Sequence, residues 1–188
     1  RRVGAAFVLM PFLPLGADDD ATARRYVTMP HQVNLLRDAD AVLTMTERER
    51  EFVAGLGVDC RRIVVTGAGV DVTEVTGGDG PAFRDRHRLG GFVVGALGPP
   101  SVEKGTPDLV RAVASLRRMG RDVSLVLAGP PLSGFTRWHE SLAPDERAGT
   151  TMLGYIDASE RRDLLAAIDA FALPSRTESF GIVYLEAW

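Results

Sequence analysis

Short apolar runs alternate with helix signals along almost the whole chain, and this alternation constrains the fold more than any other feature. Ala41–Thr44, Ile63–Val65, Phe92–Leu97, Val123–Ala128, Thr151–Leu153 and Phe171–Leu173 are strand-length runs. Between them lie helix-start signals. Pro30 suits the first turn of a helix running through Leu35 to Asp38. Thr46 with Glu49 forms a capping box, and the helix it opens ends near Gly57. Thr106, followed by Pro107, reads as the cap of a helix ending at Gly120. Phe135–Arg147 reads as helical, and Asp157 with Glu160 opens a helix to about Ile168. A last helix starts near Gly181. Strands alternating with helices predict an α/β fold with a mostly parallel sheet.

Two stretches interrupt the pattern. Gly67–Gly80 is rich in glycine, has no apolar period and is followed by Pro81 and a charged segment, Ala82–Leu89, so it reads as a linker. At the other break, Ala17–Ala21 reads as a loop. Before it, Arg1 and Arg2 precede fifteen uncharged residues, Val3–Ala17. A secretory signal is one reading of this start. The preferred one is a buried parallel strand, Gly4–Met10, leaving its sheet at Pro11. Pro11 and Pro14 break a segment already too short to span a membrane as a helix. Without an initiator Met, and stopping at Trp188 inside a helical pattern, the sequence is expected to be an internal fragment of a longer protein.

Composition narrows the function classes. Lys and Arg number 22 against 25 Asp and Glu, a net charge of -3. A dedicated nucleic-acid binder needs a basic excess, so no nucleic-acid partner is expected. Apolar residues at 45% exclude disorder as the default. Cys60, the single cysteine, precludes an internal disulfide and sits between Asp59 and Arg61 at a turn. His31, His87 and His139 show no ligand spacing, so no metal is expected; no cofactor is expected either.

The chemistry concentrates in Pro174–Trp188, PSRTESFGIVYLEAW. A strand ends, a polar loop follows, and a helix begins around Gly181. In an open parallel sheet, ligands bind beyond the carboxyl ends of the strands. A helix start there favours phosphate, and Gly181 has no side chain to hold a ligand off the backbone. Glu178 and Glu186 flank this point, about 12 Å apart at helical rise. One carboxylate could hold a sugar hydroxyl and the other a ribose diol. On their own, the two glutamates read first as a cap and a solvated helix residue.

Glu178–Glu186, ESFGIVYLE, resembles the E-x7-E motif of the family 4 retaining glycosyltransferases, which have the glycosyltransferase B fold. The preceding Phe171–Ser175 (FALPS) fits that family's approach to the motif. Val94–Gly105 (VGALGPPSVEKG) is similar to its first C-domain strand and lysine loop. Ser124–Gly129 (SLVLAG) and Met152–Ile156 (MLGYI) resemble its next two strands. Ala39–Thr46 (ADAVLTMT) and Ile63–Asp71 (IVVTGAGVD) resemble the end of its N-domain and the crossover.

The resemblance implies an α/β fold of two Rossmann-like domains, both incomplete in this fragment. Residues 1–70 would be the end of an acceptor-side N-domain, 71–89 the crossover, and 90–188 a truncated nucleotide-sugar-binding C-domain. It implies transfer of a sugar from a nucleoside-diphosphate sugar to a hydroxyl of a glycan, lipid or small-molecule acceptor, with retention. Lys104 would meet the leaving diphosphate and Glu178 the sugar hydroxyls, as the catalytic pair. Main-chain N–H groups around Phe180, Gly181, Ile182 and Val183 would bind sugar and diphosphate oxygens. Glu186 would take the ribose hydroxyls, and Tyr155 and Ile156 would border the base. The expected location is the cytoplasm, with room for peripheral contact at the inner face of a membrane through the missing part of the N-domain. The isolated fragment is expected to be inactive.

Two positions depart from the family pattern. Ala96 stands where an arginine usually follows the strand glycine Gly95, and Arg176 is a conceivable substitute. Pro14 falls where the family places an N-domain histidine, and His31 reads instead as a helix-surface residue. A nucleotide-sugar-binding domain without turnover is therefore the second reading. An NAD-type oxidoreductase, prompted by Gly67-Ala68-Gly69, fails because Val72 stands where the fingerprint needs glycine and no helix pattern follows.

Overall fold

A computed structural model describes residues 4–15, 25 and 28–188, so the expected loop at Ala17–Ala21 lies outside the described residues. The chain divides into two compact units: residues up to Gly69 together with Thr177–Gly181, and Val70–Arg176 together with Ile182–Trp188.

The first unit holds a parallel sheet, β1 (Val8–Leu9), β2 (Ala41–Thr44) and β3 (Ile63–Val65), in that order. Helices α1 (Pro30–Asp38) and α2 (Glu47–Gly55) connect the strands, and Leu13, Leu36, Val42, Val53 and Ile63 form the core. The capping box at α2 is present. Thr46 Oγ1 accepts from the Glu49 N–H at 3.1 Å, and Glu49 Oε2 accepts from Thr46 N–H at 3.0 Å and Met45 N–H at 2.6 Å. His31 is exposed on α1. The first strand is shorter than the expected Gly4–Met10. The Asp40 carboxylate accepts the Phe7 N–H at 2.8 Å, so the ladder starts only at Val8, opposite Ala41.

From Val70 on, the region read as linker and charged segment belongs to the second unit. Two helices stand there, α3 (Val72–Val75) and α4 (Gly80–His87). Asp71 caps the first by accepting from Thr73 N–H, and Asp79 caps the second by accepting from Ala82 N–H, each at 2.9 Å. Phe83 is the reason α4 exists as a packed element: it is fully buried among Val93, Val126 and Leu164, while the charged Asp85 and Arg86 beyond it are exposed. Gly80 permits the approach, because a Cβ there would lie 2.3 Å from the Ala166 carbonyl oxygen.

Four parallel strands follow: β4 (Phe92–Leu97), β5 (Val123–Ala128), β6 (Thr150–Gly154) and β7 (Ala170–Phe171), in spatial order β6-β5-β4-β7. Alternate residues feed two cores. Val94, Ala96, Leu125 and Leu127 pack on one face with Val110 and Phe135; Val93, Leu97, Val126 and Ala128 pack on the other with Phe83 and Leu164. This is the period-2 geometry of a strand covered on both sides. The remaining helices are α5 (Thr106–Arg118), α6 (Ser133–Ser141), α7 (Pro144–Arg147), α8 (Ala158–Ala167) and α9 (Ile182–Ala187). Pro144 breaks the helix expected over Phe135–Arg147. Thr106 is not a cap: Gly105 holds that position with φ 65°, and Thr106 Oγ1 accepts from Ser101 N–H at 3.3 Å.

A guanidinium joins several segments at the start of β7. Arg84 pairs with Asp169 at 2.9 Å and donates to the Ala167 carbonyl at 2.7 Å, while Asp169 also accepts from Val93 N–H at 2.7 Å. The Val93 N–H, and then Arg84, hold the Asp169 carboxyl below its ordinary range against an opposing effect of burial. A depressed native value adds stability above the unfolded value near 3.9, and that increment is lost as pH falls through the native value. Asp169→Asn therefore lowers the unfolding temperature at pH 7, and the gap from the parent narrows below about pH 4. Thermal unfolding at a series of pH values checks this, and a gap that does not change with pH would refute it.

Candidate functional site

Because the four strands of the second unit are parallel, their carboxyl ends share one edge. Gly98 N–H donates to the Ala128 carbonyl at 2.8 Å and Gly129 N–H to the Gly154 carbonyl at 2.7 Å, which aligns the ends of β4, β5 and β6. Three segments bearing expected site residues leave from this edge.

Lys104 lies on the loop between β4 and α5. Its N–H donates to Ser101 Oγ at 3.2 Å, and its side chain is half-buried. Gly105 adopts φ +65°, and a Cβ there would stand 2.0 Å from the Pro174 carbonyl oxygen. Arg176 N–H donates to the Glu103 carbonyl at 2.8 Å. The lysine loop and the loop after β7 are thus locked together through backbone.

Tyr155 and Ile156 follow β6. Tyr155 is 82% exposed, whereas Ile156 packs against the core beneath α8. Asp157 then caps α8, accepting from Glu160 N–H at 2.8 Å.

On α9, Ile182 is exposed and Val183 packs against both cores of the unit. Tyr184 fixes this helix: its phenol donates to the Leu173 carbonyl, and its ring meets Phe171 edge-on at 5.3 Å. Glu186 is not a solvated residue. Its side chain is 14% exposed and pairs with Arg161 of α8, Nη1 to Oε1 at 3.0 Å.

Over residues 91–188, more than half of its length, the chain matches the family described as "Glycosyl transferases group 1". The chain belongs to the group 1 glycosyl transferases. It is 31% identical over 194 residues to the D-inositol 3-phosphate glycosyltransferase of Stackebrandtia nassauensis, covering 93% of this chain and 42% of that protein. It is 30% identical over 156 residues to the glycogen synthase of Mycobacterium tuberculosis, covering 81% of this chain and 36% of that protein. The chain therefore spans less than half the length of these curated relatives. Among solved structures, Anabaena HepE in complex with UDP and glucose superposes with a TM-score of 0.75 at 23% identity, covering 97% of this chain and 50% of that one. WaaG, a glycosyltransferase involved in lipopolysaccharide biosynthesis, superposes with a TM-score of 0.71 at 18% identity, covering 97% and 54%. The fold, α/β with parallel sheets, matches these glycosyltransferase B structures.

In this glycosyl transferase the residues expected to form the site divide between the two units. Lys104, Tyr155, Ile156, Ile182, Val183 and Glu186 belong to the second; Glu178, Phe180 and Gly181 group with the first. Gly181 has φ 80°, immediately before α9. Ala96 is 4% exposed and packs in the core with Val94 and Val110, so no cation takes the place of the usual arginine at that position. Arg176 borders a pocket of about 290 Å³ shared with Val102, Arg111, Phe135 and Trp138. Among the described residues no group of three or more His, Cys, Asp or Glu could hold a metal, and no helix is long and apolar enough to cross a membrane.

Arg161 escaped the sequence reading. It sits 25 positions from Glu186, and no local spacing rule links an arginine in one helix to a carboxylate in another. The Gly105–Pro174 contact yields a test of how the lysine loop is held. Gly105→Ala places a Cβ on a carbonyl at a left-handed backbone angle and costs more than about 1 kcal/mol. Chemical denaturation measures the loss. Faster hydrogen exchange at the Arg176 amide localises it, and parent-like stability would show that the two loops do not need this contact.

Proposed function

We propose that the complete protein is a retaining glycosyltransferase that moves a sugar from a nucleoside-diphosphate sugar to an acceptor hydroxyl. The observation that carries this reading is the second glutamate of the E-x7-E motif, held mostly buried on α9 by an arginine of α8. Membership of the group 1 family supports it, as do the UDP and glucose held by the HepE structure.

In this reading Glu186 accepts hydrogen bonds from the ribose diol, and Tyr155 and Ile156 border the base. Lys104 places its ammonium on the diphosphate, where negative charge grows as the glycosidic bond breaks, so its effect is larger in the transition state than in the bound ground state. Glu178 orients the sugar through its hydroxyls. Main-chain N–H groups around Phe180, Gly181, Ile182 and Val183 meet sugar and diphosphate oxygens. No side chain is assigned as a covalent nucleophile. The leaving diphosphate takes the acceptor proton on the face it departs from, which yields retention; isolation of a glycosyl-enzyme adduct would refute this. The protein works in the cytoplasm, and the rest of the N-domain recognises the acceptor, at the inner face of a membrane if that acceptor is a lipid.

Ala96 favours a second reading, a sugar-nucleotide-binding domain without turnover, because one phosphate cation of the family pattern is missing. Incubating the complete protein with UDP-sugars and following sugar transfer or hydrolysis separates the two. Nuclear magnetic resonance of the product anomer tests retention.

Two outcomes are expected. Glu186→Gln removes the charge from the ribose acceptor while keeping its size. Hydrogen bonds to charged groups contribute about 1.5–3 kcal/mol, so calorimetry should show UDP binding to the complete protein weakened roughly ten- to hundredfold. Unchanged affinity would remove Glu186 from the donor site. The 188-residue chain, assayed beside the complete protein with the same donor and acceptor, shows no turnover. Comparable rates would place the acceptor machinery within these residues.

A further inference from the structure

We propose that Arg161 is a positioning residue for Glu186: it holds one oxygen of the carboxylate so that the other is presented, already ordered, to the ribose diol of the donor. The proposal rests on the donor-binding reading above and adds to it a residue outside the E-x7-E motif.

Both partners stand on fixed supports. Arg161 is in the first turns of α8, whose start is pinned by Asp157; the Asp157 carboxylate accepts from Glu160 N–H at 2.8 Å and its carbonyl from Arg161 N–H at 2.9 Å. Glu186 is on α9, tied down by the Tyr184 phenol on the Leu173 carbonyl and by Val183 in the core. The guanidinium and carboxylate are 30% and 14% exposed, so the pair is largely withdrawn from water.

A covered ion pair is a poor device for stability alone, because desolvating two charges offsets much of their attraction. Here the cost is aggravated. Arg161 Nε is buried without a hydrogen-bond partner, so the side chain makes incomplete use of its donors. The arrangement makes better sense as orientation. Arg161 Nη1 engages Oε1, and no described residue bonds to Oε2. A glutamate without this contact would have to freeze its rotatable bonds when a ligand arrives; a glutamate already held loses less freedom on binding.

The experiment compares two nucleotides on the complete protein. UDP carries the diol, and 2′,3′-dideoxy-UDP lacks it. Calorimetry with the parent, Arg161→Met and Arg161→Lys should show UDP binding weakened about tenfold in the methionine variant and partly restored by lysine. Binding of the dideoxy nucleotide should stay within about twofold across all three proteins. In turnover, Arg161→Met should raise the donor KM with little change in kcat. Circular dichroism monitors folding, and if the methionine variant fails to fold, Arg161→Gln takes its place in the comparison.

Arg161→Met binding UDP as tightly as the parent, or more tightly, would overturn the proposal; so would equal losses for both nucleotides. Failure of the parent to bind UDP, ADP, GDP and dTDP alike, or to prefer the bound nucleotide over its dideoxy form, would instead overturn the donor reading itself.

Discussion

The β4–β5 ladder is the constraint on which the second unit depends. Its strands run parallel over six residue pairs, from Phe92 opposite Val123 to Leu97 opposite Ala128. Every residue of β5 is buried. A strand in that position has no solvated face, so each side chain must find a core above or below it, and helices must cover both sides. From this follow the two clusters that alternate along Val93–Leu97 and Val123–Ala128. The position of the candidate site follows too. Parallel strands need long return connections, so the loops at the carboxyl edge stay clear of tight turns and can carry Lys104, Tyr155 and the segment after β7.

Polar groups complete what the ladder begins. Arg84, Asp169 and Val93 close the seam where β7 joins β4, and Arg161 with Glu186 closes the seam between α8 and α9. The two pairs differ in how fully their hydrogen-bonding capacity is used. Asp169 accepts from a backbone N–H as well as from Arg84, whereas the Arg161–Glu186 pair leaves a buried N–H without a partner. The first is a structural joint closed on backbone as well as side chain; the second keeps bonding capacity in reserve at the edge where ligands bind in folds of this kind.

Much of this architecture is legible in the amino-acid order because buried parallel strands are written as short apolar runs. Six runs named from sequence became strands, with shifts of one or two residues at β6 and β7. Helix α4 was not legible, because its charged residues around Phe83 hide its single fully buried aromatic side chain. A signal was nevertheless present in Asp79-Gly80-Pro81, a cap followed by a proline in the first turn. Thr106 misled for the converse reason. A threonine before a proline is a common helix start, but the left-handed backbone of Gly105 takes that position here. At the candidate site, Glu186 could be singled out because the motif is local. Arg161 could not, since its meaning arises only when two helices distant in sequence pack together.

The shortness of β7 has a consequence for motion. It joins the sheet through only two residue pairs, Val94 with Ala170 and Gly95 with Phe171, whereas β5 is fastened along its whole length. Opening free energies vary across a fold with the number of buried contacts and ladder bonds that each segment makes. The rim that carries Pro174, Arg176 and the approach to α9 therefore belongs to the least cooperative part of the sheet. Opening there, which also breaks the Arg176–Glu103 bond to the lysine loop, need not melt the β4–β5 core or draw on the global stability of the unit.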